Sequence, residues 1–149
     1  YHSEVGYNFR MPNLLVAFGV AQLENIKEYL KIKRDNAVYY NELLGKIKGI
    51  TIPAERENVE NCYWLYSILV EDEYVIKRDE LIKKLNEEKI EARPFFMPIH
   101  DMPPYKECKH GDLSVTNELY ERGINLPSSV GLKKEDIKKV CEIIKNFNK

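Results

Sequence analysis

Hydrophobic positions along the chain recur with two periods. From Pro12 to about Lys48 they fall near the spacing of one helix face, through Leu15, Phe18, Ala21, Ile26, Leu30, Ala37, Tyr40 and Leu44. Pro12 suits the first turn of such a helix, where its missing N–H is not needed, and Gly49 is the expected stop. At about 1.5 Å per residue the predicted rod is on the order of 50 Å long, more than one small core can cover. Its first half, Leu14-Leu15-Val16-Ala17-Phe18-Gly19-Val20-Ala21, is apolar nearly all round, whereas the second half is amphipathic. The first half is therefore expected to dock on another domain or subunit.

Beyond Gly49 the pattern changes to short extended runs and amphipathic helices. Ile50 to Pro53 predicts a short strand, and the aromatic, β-branched run Cys62 to Val70 a central one. Lys77 to Glu88 predicts a helix through Leu81, Ile82 and Leu85, followed by a strand over Ile90 to Phe95. Prolines 94, 98, 103 and 104 then make an irregular but stiff loop. Ser114 to Arg122 predicts a short helix, Ile124 to Pro127 an extended piece and Lys133 to Phe147 a closing amphipathic helix. This order predicts an α+β fold: a long N-terminal helix and a small, mainly antiparallel sheet with helices on one face.

Composition narrows the function classes. The 149 residues suffice for one domain, and 23 Lys and Arg against 24 Asp and Glu give none of the charge excess that marks binding of nucleic acid or acidic membranes. With no membrane-length apolar run and no leader, the expected location is cytoplasmic. Cys62, Cys108 and Cys141 lack a CxxC spacing and are expected as reduced thiols. The start at Tyr1, without an initiator Met, is what part of a longer protein would show.

Three stretches place polar groups where packing does not require them. In Gly6-Tyr7-Asn8-Phe9-Arg10-Met11, Asn8 and Arg10 precede a helix N-terminus and suit an anion such as phosphate; the plainer alternative is a turn former and a solvated charge. In Glu91 to Tyr105, the residues Arg93, His100 and Tyr105 sit on a proline-stiffened aromatic loop. That loop is either a pocket edge or a segment packed on a core. In Gly123 to Ser129 a strand followed by a turn is the simpler account. His100, Cys108 and His110 lack the paired spacings of a zinc site, and no metal is expected. Tyr63, Trp64 and Tyr66 are expected as core and sheet surface.

In this order the stretches resemble the C-terminal part of the DegT/DnrJ/EryC1/StrS family of nucleotide-sugar aminotransferases. The resemblance runs through Val5 to Met11, Gly19 to Leu23, Trp64-Leu65-Tyr66, Arg93 to His100, Tyr105 and Gly123 to Ser129. It implies the small domain of a type I aminotransferase dependent on pyridoxal phosphate, with 1–149 as that domain and 1–48 as its interface segment and connecting helix. It further implies a homodimer and transfer of an amino group, usually from glutamate, to a keto carbon of a nucleotide-linked sugar. Carried over by position, Asn8 reaches the cofactor phosphate of the partner subunit, and Arg10 and His100 line the nucleotide-sugar site. Tyr105 is a further substrate-side candidate, and Arg93 positions the loop.

None of the lysines here follows the family's motif for the Schiff-base lysine, so no catalytic residue is assigned and this chain alone is expected to be inactive. The alternative is a free-standing interaction domain that keeps the fold and binds a partner through its apolar half-helix.

Overall fold

The amphipathic pattern of the second half of the long helical segment is satisfied by burial. Ala37, Tyr40 and Leu44, three and four residues apart, share one buried face of helix α2 (Ile26–Leu44). This computed structural model describes residues 9–148. Ahead of α2, helix α1 (Asn13–Glu24) buries none of its residues.

The predicted rod is thus two helices parted by one residue. At Asn25 the backbone leaves the helical region (φ −104°, ψ 3°) and its N–H takes the Gln22 carbonyl at 3.2 Å. The Asn25 side-chain amide instead donates, at 2.9 Å, to the Ala21 carbonyl that a continuous helix would give to the backbone N–H. The second helix also stops earlier than expected, at Leu44. Gly49 sits five residues further on, with φ +78°, turning the chain into the first strand.

Four short strands form one antiparallel sheet in the order β1-β2-β4-β3: β1 (Ile50–Thr51), β2 (Tyr66–Val70), β3 (Arg93–Pro94) and β4 (Gly123–Leu126). Ser67 faces Asn125 and Ile68 faces Ile124 across the central pair. Inward-pointing Tyr66, Ile68, Val70, Ile124 and Leu126 meet α2, α3 (Arg78–Glu87) and α5 (Lys134–Asn146). These helices contribute Leu81 and Leu85, and Ile137, Val140, Cys141 and Ile144. Burying each such aliphatic side chain contributes about 1.5–3 kcal/mol. The fold is α+β, as its pattern predicts, with α4 (Ser114–Arg122) carrying no buried residue.

Two strands are shorter than their sequence runs. Asn61 accepts the Tyr63 backbone N–H through Oδ1 at 2.8 Å, and Tyr63 takes a positive φ of 46°, so the chain turns before β2 can begin. Glu55 fastens this turn by accepting from Asn61 N at 2.8 Å and the Tyr63 hydroxyl at 3.1 Å, bonds that hold its carboxyl below the ordinary range. On the opposite edge, β3 keeps only Arg93 and Pro94, which pair with Asn125 and Ile124. Tyr40 and Tyr66 stack at 4.4 Å in the core; their hydroxyls reach the Pro127 carbonyl at 3.0 Å and Asn41 Oδ1 at 2.6 Å.

Candidate functional site

The loop after β3 is anchored at its start by Phe95, whose N–H donates to the Gly123 carbonyl at 3.3 Å and whose ring lies over Gly123 itself. A Cβ at Gly123 would meet three atoms of that ring at 2.3–2.5 Å. Gly123→Ala is therefore expected to swing Phe95 away and cost about 1–3 kcal/mol, read as a lower urea midpoint with altered loop resonances. A midpoint unchanged from wild type would show that the ring does not fix the loop.

From Phe95 the chain passes buried Pro98 and makes two single 3₁₀ turns, Ile99–Asp101 and Pro103–Tyr105. These turns bring His100 and Tyr105 to one cavity of about 260 Å³, shared with Cys108, His110 and Leu113. His100 also borders a second, open cavity of about 460 Å³ lined by Asp101, His110, Asp112, Ser114 and Asn117. The His100 side chain keeps 21% exposure, and its Nε2 lies 3.0 Å from Asn117 Oδ1 and 3.7 Å from Asp101 Oδ1. The His110 ring centroid is 6.2 Å away. At the mouth, Asp112 accepts the Ser114 backbone N–H at 2.9 Å, which holds its carboxyl below the usual range and fixes the start of α4.

The remaining predicted positions lie apart from this pair. Arg10 is exposed ahead of α1 and lines neither cavity. Asn8 falls outside the described residues. Arg93 is exposed on the edge strand and pairs with Glu91. Among the described residues no group of three or more His, Cys, Asp or Glu is placed to hold a metal ion.

Lys33 has one mark of an activated lysine, because burial pushes its ammonium below the ordinary range. Its Nζ, however, donates to the Ser128 carbonyl at 2.6 Å and the Trp64 carbonyl at 3.2 Å, clasping α2 to the two segments that flank the sheet. Lys109, beside the smaller cavity, is exposed.

Two features escaped the sequence reading. Asn117 is 17 residues from His100, and no local pattern connects them. On the uncovered sheet face, Trp64 stacks on Phe96 at 6.3 Å beside the Ser67–Asn125 hydrogen bond of 2.7 Å, forming a groove of about 450 Å³. Trp64 is 69% exposed, so it belongs to the sheet surface and not to the core.

Comparison with known proteins bears on the family and the fold. The model of the DegT/DnrJ/EryC1/StrS aminotransferase family matches residues 1–145. GDP-perosamine synthase of Vibrio cholerae is 40% identical over 149 residues, covering 99% of this chain and 40% of that protein. The protein of the same name from Escherichia coli O157:H7 is 37% identical over 147 residues, covering 99% and 39%. Helicobacter pylori PseC, an aminotransferase involved in the biosynthesis of pseudoaminic acid, shares the fold. Its TM-score is 0.84 at 19% identity, over 98% of this chain and 40% of that one. The chain thus spans about 40% of the length of the relatives it matches.

Proposed function

Because this chain belongs to the DegT/DnrJ/EryC1/StrS aminotransferase family, we propose that it is the C-terminal portion of a sugar aminotransferase. The complete protein moves an amino group from an amino-acid donor, glutamate, to a keto carbon of a nucleotide-linked sugar for amino-sugar and polysaccharide biosynthesis. The names of two of its relatives favour a GDP-linked sugar. One observation carries the reading: the family match extends over residues 1–145, and within it the stiff loop delivers His100 and Tyr105 to one cavity.

In this reading pyridoxal phosphate, held in the complete homodimer, supplies the electron sink. The residues of this chain bind and orient. Asn8 donates its side-chain amide to the cofactor phosphate of the partner subunit. Arg10 offers a guanidinium fork to the diphosphate. His100 and Tyr105 contact the sugar side of the substrate from their shared cavity, and residues 1–48 form the interface segment. Helix α1, apolar nearly all round and with none of its residues buried, is covered by the part of the protein that the relatives have in addition. Among the described residues no helix is long and apolar enough to cross a membrane.

The same exposed helix favours the second reading, an interaction domain that retains the fold. Cofactor chemistry separates the two. The 149-residue chain titrated with pyridoxal phosphate is expected to give no stoichiometric absorbance band, and a band abolished by one lysine substitution would sink that expectation. In the complete protein, amino transfer to a GDP-linked keto sugar is expected. Asn8→Ala should loosen cofactor retention about tenfold, the loss of one charge-assisted hydrogen bond, with unfolding unchanged. A complete protein without transfer activity would leave the interaction domain as the better account.

A further inference from the structure

The two ring nitrogens of His100 have different surroundings. Nε2 faces Asn117 Oδ1 at 3.0 Å and Asp101 Oδ1 at 3.7 Å, and both oxygens are acceptors. A ring nitrogen that faces two acceptors carries the proton, which leaves the lone pair of the neutral ring on Nδ1. His110, the other imidazole among the described residues, is committed through its Nδ1 to the Gly111 carbonyl at 2.9 Å and does not compete for Asn117.

We infer that Asn117 is the positioning residue for His100. From the first turns of α4 it fixes the orientation and tautomer of the ring, so that neutral His100 offers the substrate a hydrogen-bond acceptor at Nδ1. Both ends of this contact are held. Asp112 ties down the start of α4, the Asn117 N–H takes the Leu113 carbonyl at 3.1 Å, and the 3₁₀ turn closes with the Asp101 N–H on the Pro98 carbonyl at 3.1 Å. The chemical consequence is selection. A bare Nδ1 accepts from a hydroxyl or an N–H of the substrate and repels an unprotonated phosphate oxygen, so His100 serves the sugar or the base and leaves the diphosphate to a cation. The inference rests on the substrate-side role proposed above for His100.

Long-range ¹⁵N correlation spectra of the imidazoles in the 149-residue chain, at about pH 8 where histidine is neutral, test the tautomer directly. His100 is expected to show a bare Nδ1 and an Nε2–H proton slowed in exchange with water. Asn117→Leu should abolish that slowing, and Asn117→Asp, which keeps an acceptor, should restore it, with circular dichroism confirming the fold of each. In the complete protein, Asn117→Leu should raise KM for the nucleotide sugar about fivefold and leave kcat within about twofold, the effect of one ordinary hydrogen bond. A proton on Nδ1 in the native chain overturns the inference. So does a KM unmoved by Asn117→Leu when His100→Ala raises it. A KM unmoved by His100→Ala as well overturns the substrate-side role and this inference together.

Discussion

The 149-residue chain is expected to self-associate through its exposed α1, and glutamate at both Leu14 and Phe18 to weaken that association about a hundredfold while leaving the unfolding midpoint within about 2 °C of wild type. The two halves of this result have separate causes. No residue of α1 is buried, so polar substitutions there remove nothing from the core and fall in the range of ordinary surface changes, about 0.5 kcal/mol or less. Yet nine large apolar side chains between Phe9 and Ile26 are 42–89% exposed. Together they present roughly 1,000 Å² of apolar surface, above what soluble monomers normally leave open. Leu14 and Phe18, at 81% and 66% exposure and one turn apart, are among its most prominent members. Sedimentation velocity over a concentration series, with thermal unfolding of the same samples, checks both halves. A midpoint lowered by more than about 5 °C would mean that α1 packs on the domain. The proposed docking of α1 in the complete protein makes the opposite stability prediction there: the same two charges would be buried and would lower its stability by several kcal/mol.

The contrast between α1 and α2 was legible in the chain because burial follows periodicity. Apolar positions on one face announce α2, and an apolar circumference announces a helix that this domain does not cover. Helices α3, α4 and α5 end within about a residue of their predicted limits, since each carries a local signal: acidic residues at the first turn of α3 and α5, and Ser114 opening α4. The strands were less legible. An aromatic, β-branched run over Cys62 to Val70 favours extension throughout, but the Asn61 side chain captures the Tyr63 N–H and the run loses its first four residues to a turn. That competition is decided by a few side-chain hydrogen bonds, from Asn61 and Glu55, which propensity does not weigh. The break at Asn25 has the same origin, because an asparagine in mid-helix reads only as a weak helix former until its amide is seen on the Ala21 carbonyl.

At the site, the residue types were visible and their association was not. Prolines marked the loop as stiff, and stiffness is what holds His100 and Tyr105 beside one cavity. The partner of His100 was invisible because Asn117 meets it only through the packing of α4 beside that loop. Lys33 illustrates the reverse case. Within the sequence it is one position on a helix face, and only its two carbonyl contacts reveal a clasp between α2, the segment before β2 and the segment after β4.

Gly49→Ala is expected to destabilise the domain by about 2–5 kcal/mol, because two costs act at one position. The first is conformational: at φ +78° an L side chain sits in the left-handed region, which costs about 1–2 kcal/mol. The second is steric, and here the obstacle is main chain. A Cβ would lie 2.4 Å from Tyr74 N, 2.7 Å from Tyr74 Cα and 2.8 Å from the Glu73 carbonyl carbon, so no rotamer change relieves it. The turn cannot simply retreat, because the Gly49 carbonyl accepts the Glu71 N–H at 2.8 Å at the end of the β1–β2 pairing. Tyr74 cannot retreat either: it is 4% exposed, and its hydroxyl donates to the Ile144 carbonyl of α5 at 2.5 Å. Displacing it therefore disturbs sheet and closing helix together. Urea unfolding should show the loss as a lower midpoint with an unchanged slope. Gly111→Ala, where an added Cβ meets nothing within 4 Å, is the matched control and should stay within about 0.5 kcal/mol of wild type. A loss at Gly49 no larger than that of the control would show that the 45–50 turn yields to Tyr74.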